Sequence, residues 1–222
     1  MFLHQNNTII DSLHKLGKKV ICYFSAGSYE DYRPDSWQFK KADLGSELDG
    51  WPGEYWLNIS SPDVRDIMAT RIEIASQIGC DAVDPDNVDG FQNENGFDLT
   101  AQDSIDFVKF LAKEARNRKL GVGLKNAGDI ISDVLSVVQF QVNEQCAEYD
   151  ECDTFAAFID AGKPVFHIEY PKGTPDSVSA NALTSDCSAS DSDNFSTVIK
   201  TMDLDGWVEY CNGQKAETAV TS

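Results

Sequence analysis

Acidic residues crowd one short stretch of this chain. From Asp81 to Gly90 it reads DAVDPDNVDG, four aspartates in ten residues, behind an apolar approach through Ile78 and Val83. In a strand, alternate side chains share a face, which sets Ala82, Asp84 and Asp86 together and Val83 opposite, while Pro85 limits further pairing. Two carboxylates aimed the same way at a strand's end suit acid/base chemistry, a cation or a cationic ligand. A second carboxylate, Glu144, ends the apolar segment FQVNEQ. Two carboxyl groups flanking a scissile bond are what glycoside hydrolysis requires, one as nucleophile or base and the other as acid. Lys125, on the segment between them, suits holding a neighbouring carboxylate ionised.

Other strand ends carry polar groups that packing does not need: Tyr23 and Ser25; Asp84, Asp86 and Asp89; Lys125 and Asn126; Asn143 and Glu144; His167, Glu169 and Tyr170; Asp203 and Asp205. In a parallel barrel these ends converge on one face, where such folds place their active sites. Asp86 and Glu144 are therefore the catalytic candidates and the others are candidates for substrate contact. His167 is given a binding role rather than that of proton donor.

The elements that would present these residues repeat. Four times an amphipathic helix is followed by a glycine and a short apolar strand. Asn7 or Thr8 caps a helix bearing Ile9, Ile10, Leu13 and Leu16, then Gly17 and VICYFSAG follow. Ser61 and Pro62 open one bearing Val64, Ile67, Met68, Ile72 and Ala75, followed by Gly79 and CDAVDP. A capping box of Thr100 and Asp103 opens a helix with Ile105, Val108, Leu111 and Ala115, leading to LGVGLKN. Asp153 to Ala161 gives way at Gly162 to PVFHIEY, a shorter helix from Asp129 to Val138 precedes FQVNEQ, and Thr197 to Cys211 holds the last strand. Six strands alternating with helices predict parallel pairing with right-handed crossovers, hence a (β/α) barrel or an open doubly wound sheet in one domain, 1–222.

Two regions depart from this rhythm. Tyr29 to Trp56 reads as a long polar and aromatic loop, whose Trp37, Trp51, Tyr55 and Trp56 are either sugar-stacking platforms or a small satellite core. Lys172 to Asn194 reads as surface loop and helix.

Composition narrows the partners. Asp plus Glu number 37 against 18 Lys plus Arg, a formal charge of -19. Such a field disfavours nucleic acid and anionic membrane and concentrates cationic ligands. No apolar run reaches the roughly 18 to 20 residues of a membrane span, and MFLHQNNTII has no export signal. Six cysteines without a C-x-x-C pair, and sequons at Asn6, Asn58 and Asn194, nevertheless favour a secreted protein. The first strand lacks G-x-G-x-x-G, and no phosphate-binding P-loop occurs, so nucleotides rank low. DPDNVDG fails as a calcium loop: with Asp84 first, Val88 takes the fifth place and Asn95 the twelfth, where an oxygen ligand and Glu belong. No metal or cofactor is expected, and a monomer is.

Long stretches of the chain, VICYFSAGSYEDYRPD, LDGWPGEYWL, GCDAVDPDNVDG, GLKNAG, VNEQC and GKPVFHIEYPKG, resemble the endo-α-1,4-polygalactosaminidases of glycoside hydrolase family 114. The resemblance runs from about Ile10 to Cys211. It implies a secreted (β/α)8 barrel that cleaves α-1,4-linked galactosamine-containing polysaccharide internally, with Asp86 as nucleophile and Glu144 as acid/base. Galactosamine without its acetyl group is cationic near neutral pH, which gives the acidic field a purpose. Carboxyl groups about 5 Å apart would imply retention of configuration, and about 6.5 to 9.5 Å inversion. Family members carry two strands ahead of VICYFSAG, so the expectation is an incomplete barrel lacking the first two strands, with a non-catalytic polysaccharide binder as the alternative. Within that architecture the expected disulfides are Cys146–Cys152, Cys187–Cys211 and Cys22–Cys80.

Overall fold

A computed structural model describes residues 7–219. The Asn6 sequon lies outside them, and Asn7 and Thr8, expected as caps, lie within the first helix. The chain divides into two compact units, the first ending at Gln139 and the second beginning at Phe140.

In the first unit, helix α1 (Asn7–Lys15) ends at Gly17, whose φ of 72° suits glycine. The chain then enters strand β1 (Ile21–Ser25). Helix α2 (Pro62–Gln77) and helix α3 (Ala101–Asn117) precede strands β5 (Ala82–Asp86) and β6 (Gly121–Lys125). Strands β1, β5 and β6 pair in parallel and in that order, with Tyr23 opposite Asp84 and Ser25 opposite Asp86. The stripes of α2 and α3 lie inward as expected, whereas of the α1 stripe Ile10 is buried but Ile9 and Leu16 are exposed, and Thr100 and Asp103 form the capping box. Cys22–Cys80 ties β1 to the approach of β5. Asp81 draws the same junction together by accepting from Lys19, His14 and the Val20 amide, and these bonds hold its carboxyl well below the usual range.

The region from Tyr29 to Trp56 is not a loop. Strands β2 (Ser28–Glu30), β3 (Leu44–Glu47) and β4 (Glu54–Leu57) form an antiparallel sheet in the order β2–β4–β3. Each strand spans three or four residues, too few for an alternating pattern to register. Tyr29 pairs with Tyr55, whose ring it meets at 6.3 Å, and Trp56 is buried at 6% exposure. These close a satellite core, whereas Trp37 stands 80% exposed.

The helix expected over Asp129 to Val138 shrinks to a 3-10 turn, Gly128–Ile130, and the short α4 (Ile131–Val134). Left-handed Asn126 and Ala127 precede it, and the β-branched valines beyond it are poor helix formers.

In the second unit, strands β7 (Phe140–Glu144), β8 (Val165–Glu169) and β9 (Ser196–Ile199) pair in parallel in that order. Helices α5 (Cys152–Asp160) and α6 (Ala180–Cys187) alternate with them. The expected single last strand is instead β9 followed by antiparallel β10 (Trp207–Tyr210) and β11 (Lys215–Glu217). The cause is a turn: Leu204 has φ 50°, Asp205 Oδ1 accepts from the Trp207 amide, and a D-G dipeptide follows. Cys146–Cys152 closes the turn after β7, and Cys187–Cys211 joins α6 to the end of β10. All three expected disulfides are present, as are six parallel strands in an α/β arrangement. Among the described residues no helix is long and apolar enough to cross a membrane.

Candidate active site

Each unit presents one solvent-accessible carboxylate at the C-terminal end of a parallel strand. In the first unit this is Asp86. Its Oδ2 accepts from the Tyr23 hydroxyl at 2.9 Å, and its Oδ1 accepts from the Asn87 amide at 2.8 Å and lies 3.2 Å from Lys125 Nζ. The parallel register sets Tyr23 and Lys125 on the strands to either side, and the ammonium lies 5.9 Å from the centre of the Tyr23 ring. Lys125 is only 5% exposed. The Tyr23 hydroxyl stays protonated: burial, then the charges of Asp86 and Glu30, push its pKa far above the usual value.

The backbone around Asp86 is fixed as firmly. Its carbonyl accepts from the amides of Ala26 and Gly27, and the Gly27 carbonyl accepts from Leu57 of β4. A Cβ on Gly27 would lie 1.7 Å from the Asn87 carbonyl oxygen, so only glycine fits. Asn87, at φ 59°, turns its amide onto the hydroxyls of Ser25 and Ser28.

In the second unit Glu144 ends β7. The Tyr170 hydroxyl donates to its Oε1 in a short bond. The chain leaves through Gln145, at φ 63°, whose amide donates to the Ile168 carbonyl of β8 at 2.9 Å. One row of the sheet sets Asn143, His167 and Thr197 side by side. Asn143 Oδ1 accepts from the Cys146 amide. His167 contacts Glu169 Oε1 through Nε2 at 2.6 Å and Thr197 Oγ1 through Nδ1 at 3.0 Å.

The substrate-contact candidates therefore separate by burial. Tyr23, Asp89, Asn126 and Tyr170 retain solvent access, as do Asp86 and Glu144. Asp203 and Asp205 are exposed, in the turn between β9 and β10 rather than on a parallel strand's end. Ser25, Asp84, Lys125, Asn143, His167 and Glu169 are buried, the last two at 0% and 1% exposure. Of these six, Ser25, Lys125, Asn143, His167 and Glu169 contact neighbouring protein groups. Their burial was unreadable because a strand's alternation does not say which face is covered.

Two supports of the first unit went unanticipated. Arg71 on α2 is buried, makes a bidentate pair with Asp35 and donates to the Ser25 carbonyl at 2.7 Å. A sequence signal existed, because Arg71 falls within the apolar stripe of its helix. Glu30 of β2 is buried beneath Arg33 and Tyr32, both of which donate to it. Its charge, after burial itself, raises the Glu54 carboxyl above its usual value. The Glu30, Tyr32 and Arg33 contacts are local in sequence, whereas Glu54 joins them only through the β2–β4 pairing.

Cys146, Cys152 and His167 bring their ligand-type atoms within 4.8 Å of one another, but both sulfurs are committed to one disulfide. A disulfide is not a thiolate ligand.

Comparison with known proteins places this chain among glycoside hydrolases. The model of glycoside-hydrolase family GH114 matches residues 2–216. The crystal structure of Aspergillus fumigatus Ega3 in complex with galactosamine superposes with a TM-score of 0.90 at 58% identity, over 93% of this chain and 84% of that one. The glycoside hydrolase domain of PelA from Pseudomonas aeruginosa shares the fold, with a TM-score of 0.70 at 14% identity over 90% and 85% of the two chains. An uncharacterized protein of Methanocaldococcus jannaschii is 32% identical over 123 residues, which are 49% of this chain and 34% of that protein. The match thus spans about a third of that curated relative's length.

Proposed function

The chain belongs to glycoside-hydrolase family GH114, and from that premise we propose that it hydrolyses α-1,4-linked galactosamine-containing polysaccharide outside the cell, Asp86 acting as nucleophile and Glu144 as acid/base. The observation that carries the reading is the donor set on Asp86: a tyrosine hydroxyl, a backbone amide and a buried ammonium converge on one carboxylate. Groups so arranged hold a carboxylate in a fixed direction, which is what attack on an anomeric carbon asks of it. Glu144 then protonates the leaving oxygen and afterwards deprotonates the incoming water.

The likeness to Ega3, whose structure contains galactosamine, supports the choice of sugar. A formal charge of -19 supports a cationic polymer, drawn in by long-range attraction. Three disulfides support an oxidising compartment, and the proposed working form is a monomer.

Incubation with partly deacetylated α-1,4-galactosamine polymer, with oligosaccharides followed by mass spectrometry, tests the reading. Asp86→Asn and Glu144→Gln are each expected to cut product release by at least about a hundredfold while the melting temperature stays near that of the parent. Undiminished turnover in either variant, or binding of the polymer by the parent without any product, refutes it. The anomeric configuration of the first product, read by NMR, tests the roles: inversion would recast Asp86 as a general base.

A further inference from the structure

Burying an ionisable group is costly unless its partners replace water. The second unit buries two that face no solvent, His167 and Glu169. Their bonds converge on the turn that follows Glu144. Glu169 Oε1 accepts from the Ala147 amide at 2.7 Å and from His167 Nε2 at 2.6 Å. Acceptance by a carboxylate makes Nε2 the protonated ring nitrogen, while Thr197 Oγ1 at Nδ1 and the edge-on ring of Phe195 fix the imidazole plane.

Three consecutive amides after Glu144 are thereby tied down: Gln145 to the Ile168 carbonyl, Cys146 to Asn143 Oδ1, and Ala147 to Glu169. The last is the bond with a charged acceptor, and such bonds are roughly twice as strong as neutral ones. We propose that Glu169, oriented by His167, is a positioning residue for Glu144, clamping the Gln145–Ala147 turn so that the Glu144 carboxyl is held in its working direction. The inference rests on Glu144 being the acid/base. Neighbouring charge agrees with it. The Asp186 carboxyl on α6 is pushed up to about 6 by burial and then by the charge of Glu169, with His167 opposing and Glu148 adding a little.

Glu169→Gln tests the proposal, because it keeps the shape and an acceptor oxygen for Ala147 but removes the charge. The expected result is a fall in kcat of about tenfold, the scale of one charge-assisted bond, with KM within about twofold and the melting temperature little changed. The strongly hydrogen-bonded His167 ring proton should also vanish from the NMR spectrum. Unchanged kcat in a variant that has lost that signal overturns the proposal. A parent enzyme with no activity on the polymer overturns instead the reading of Glu144, and the proposal with it. Should Glu169→Gln fail to fold, Thr197→Val removes only the Nδ1 partner. It should lower kcat with KM unchanged, Thr197→Ser should restore it, and full kcat in the valine variant overturns the proposal.

Discussion

Removal of the Arg71 guanidinium offers a demanding test of how the first unit supports its carboxylate. Arg71 Nε and Nη2 donate to the two oxygens of Asp35 at 2.8 and 2.9 Å, and Nη1 donates to the Ser25 carbonyl at 2.7 Å. Both side chains are almost fully buried, with Arg71 at 5% exposure. Arg71→Met removes the guanidinium, whose central carbon lies 5.5 Å from the centre of the Phe39 ring, and leaves the Asp35 carboxylate buried without its countercharge. Breaking a buried pair from one side costs about 3 to 5 kcal/mol. For a chain of this size that is about 6 to 20 °C in melting temperature. Arg71→Met/Asp35→Leu should recover most of the loss, because an apolar pair of similar volume replaces a buried ion pair at little net cost. Urea titration followed by circular dichroism on the parent, both single variants and the double variant gives the cycle. A loss below about 1 kcal/mol in Arg71→Met, or a double variant no more stable than that single one, would refute the reasoning. The Ser25 carbonyl supplies a functional readout as well. Ser25 lies opposite Asp86, so Arg71→Met is expected to lower activity on the polymer beyond its loss of folded protein.

Two further expectations concern the site and its staples. Tyr23→Phe should lower kcat/KM about tenfold, the lower end for a bond to a charged acceptor. Since that hydroxyl is held far above its ordinary pKa, the parent should show no alkaline loss of activity near pH 10 that the phenylalanine variant lacks, and such a limb would contradict the assignment. The disulfides close loops of 58, 24 and 6 residues. Loop entropy ranks paired Cys→Ala losses at about 4 kcal/mol for Cys22–Cys80, about 3 for Cys187–Cys211 and about 2 for Cys146–Cys152. Denaturation of the three double variants checks the order.

What could be read from sequence and what could not divide along the reach of the interactions. The helix, glycine and strand units were legible because each is set by contacts within one turn or one strand, as the Thr100 and Asp103 capping box illustrates. The polar strand ends were legible too, since Ser25, Asp86 and Lys125 are the last residues of three neighbouring strands and Tyr23 lies two residues before Ser25. The sheet of β2, β3 and β4 was not, because Ser28 finds its partner at Trp56, far beyond any local pattern. His167 and Glu169 looked like ligand contacts by type, yet their meaning comes from Thr197 and Ala147, which lie on other elements. Arg71 was readable in principle: a cation in an apolar stripe must have a buried partner, although the stripe does not name Asp35.

The close approach of Gly27 to Asn87 sets a limit on how this chain can vary. A single methyl group there would occupy the space of a carbonyl oxygen, so even alanine would part β1 from the turn that carries Asp86. In mutational libraries the position behaves as an on–off marker, adding no chemistry of its own while reporting whether the turn still closes. A diverged sequence that keeps both carboxylates but places a side chain at that point has kept the reagents and lost the vessel.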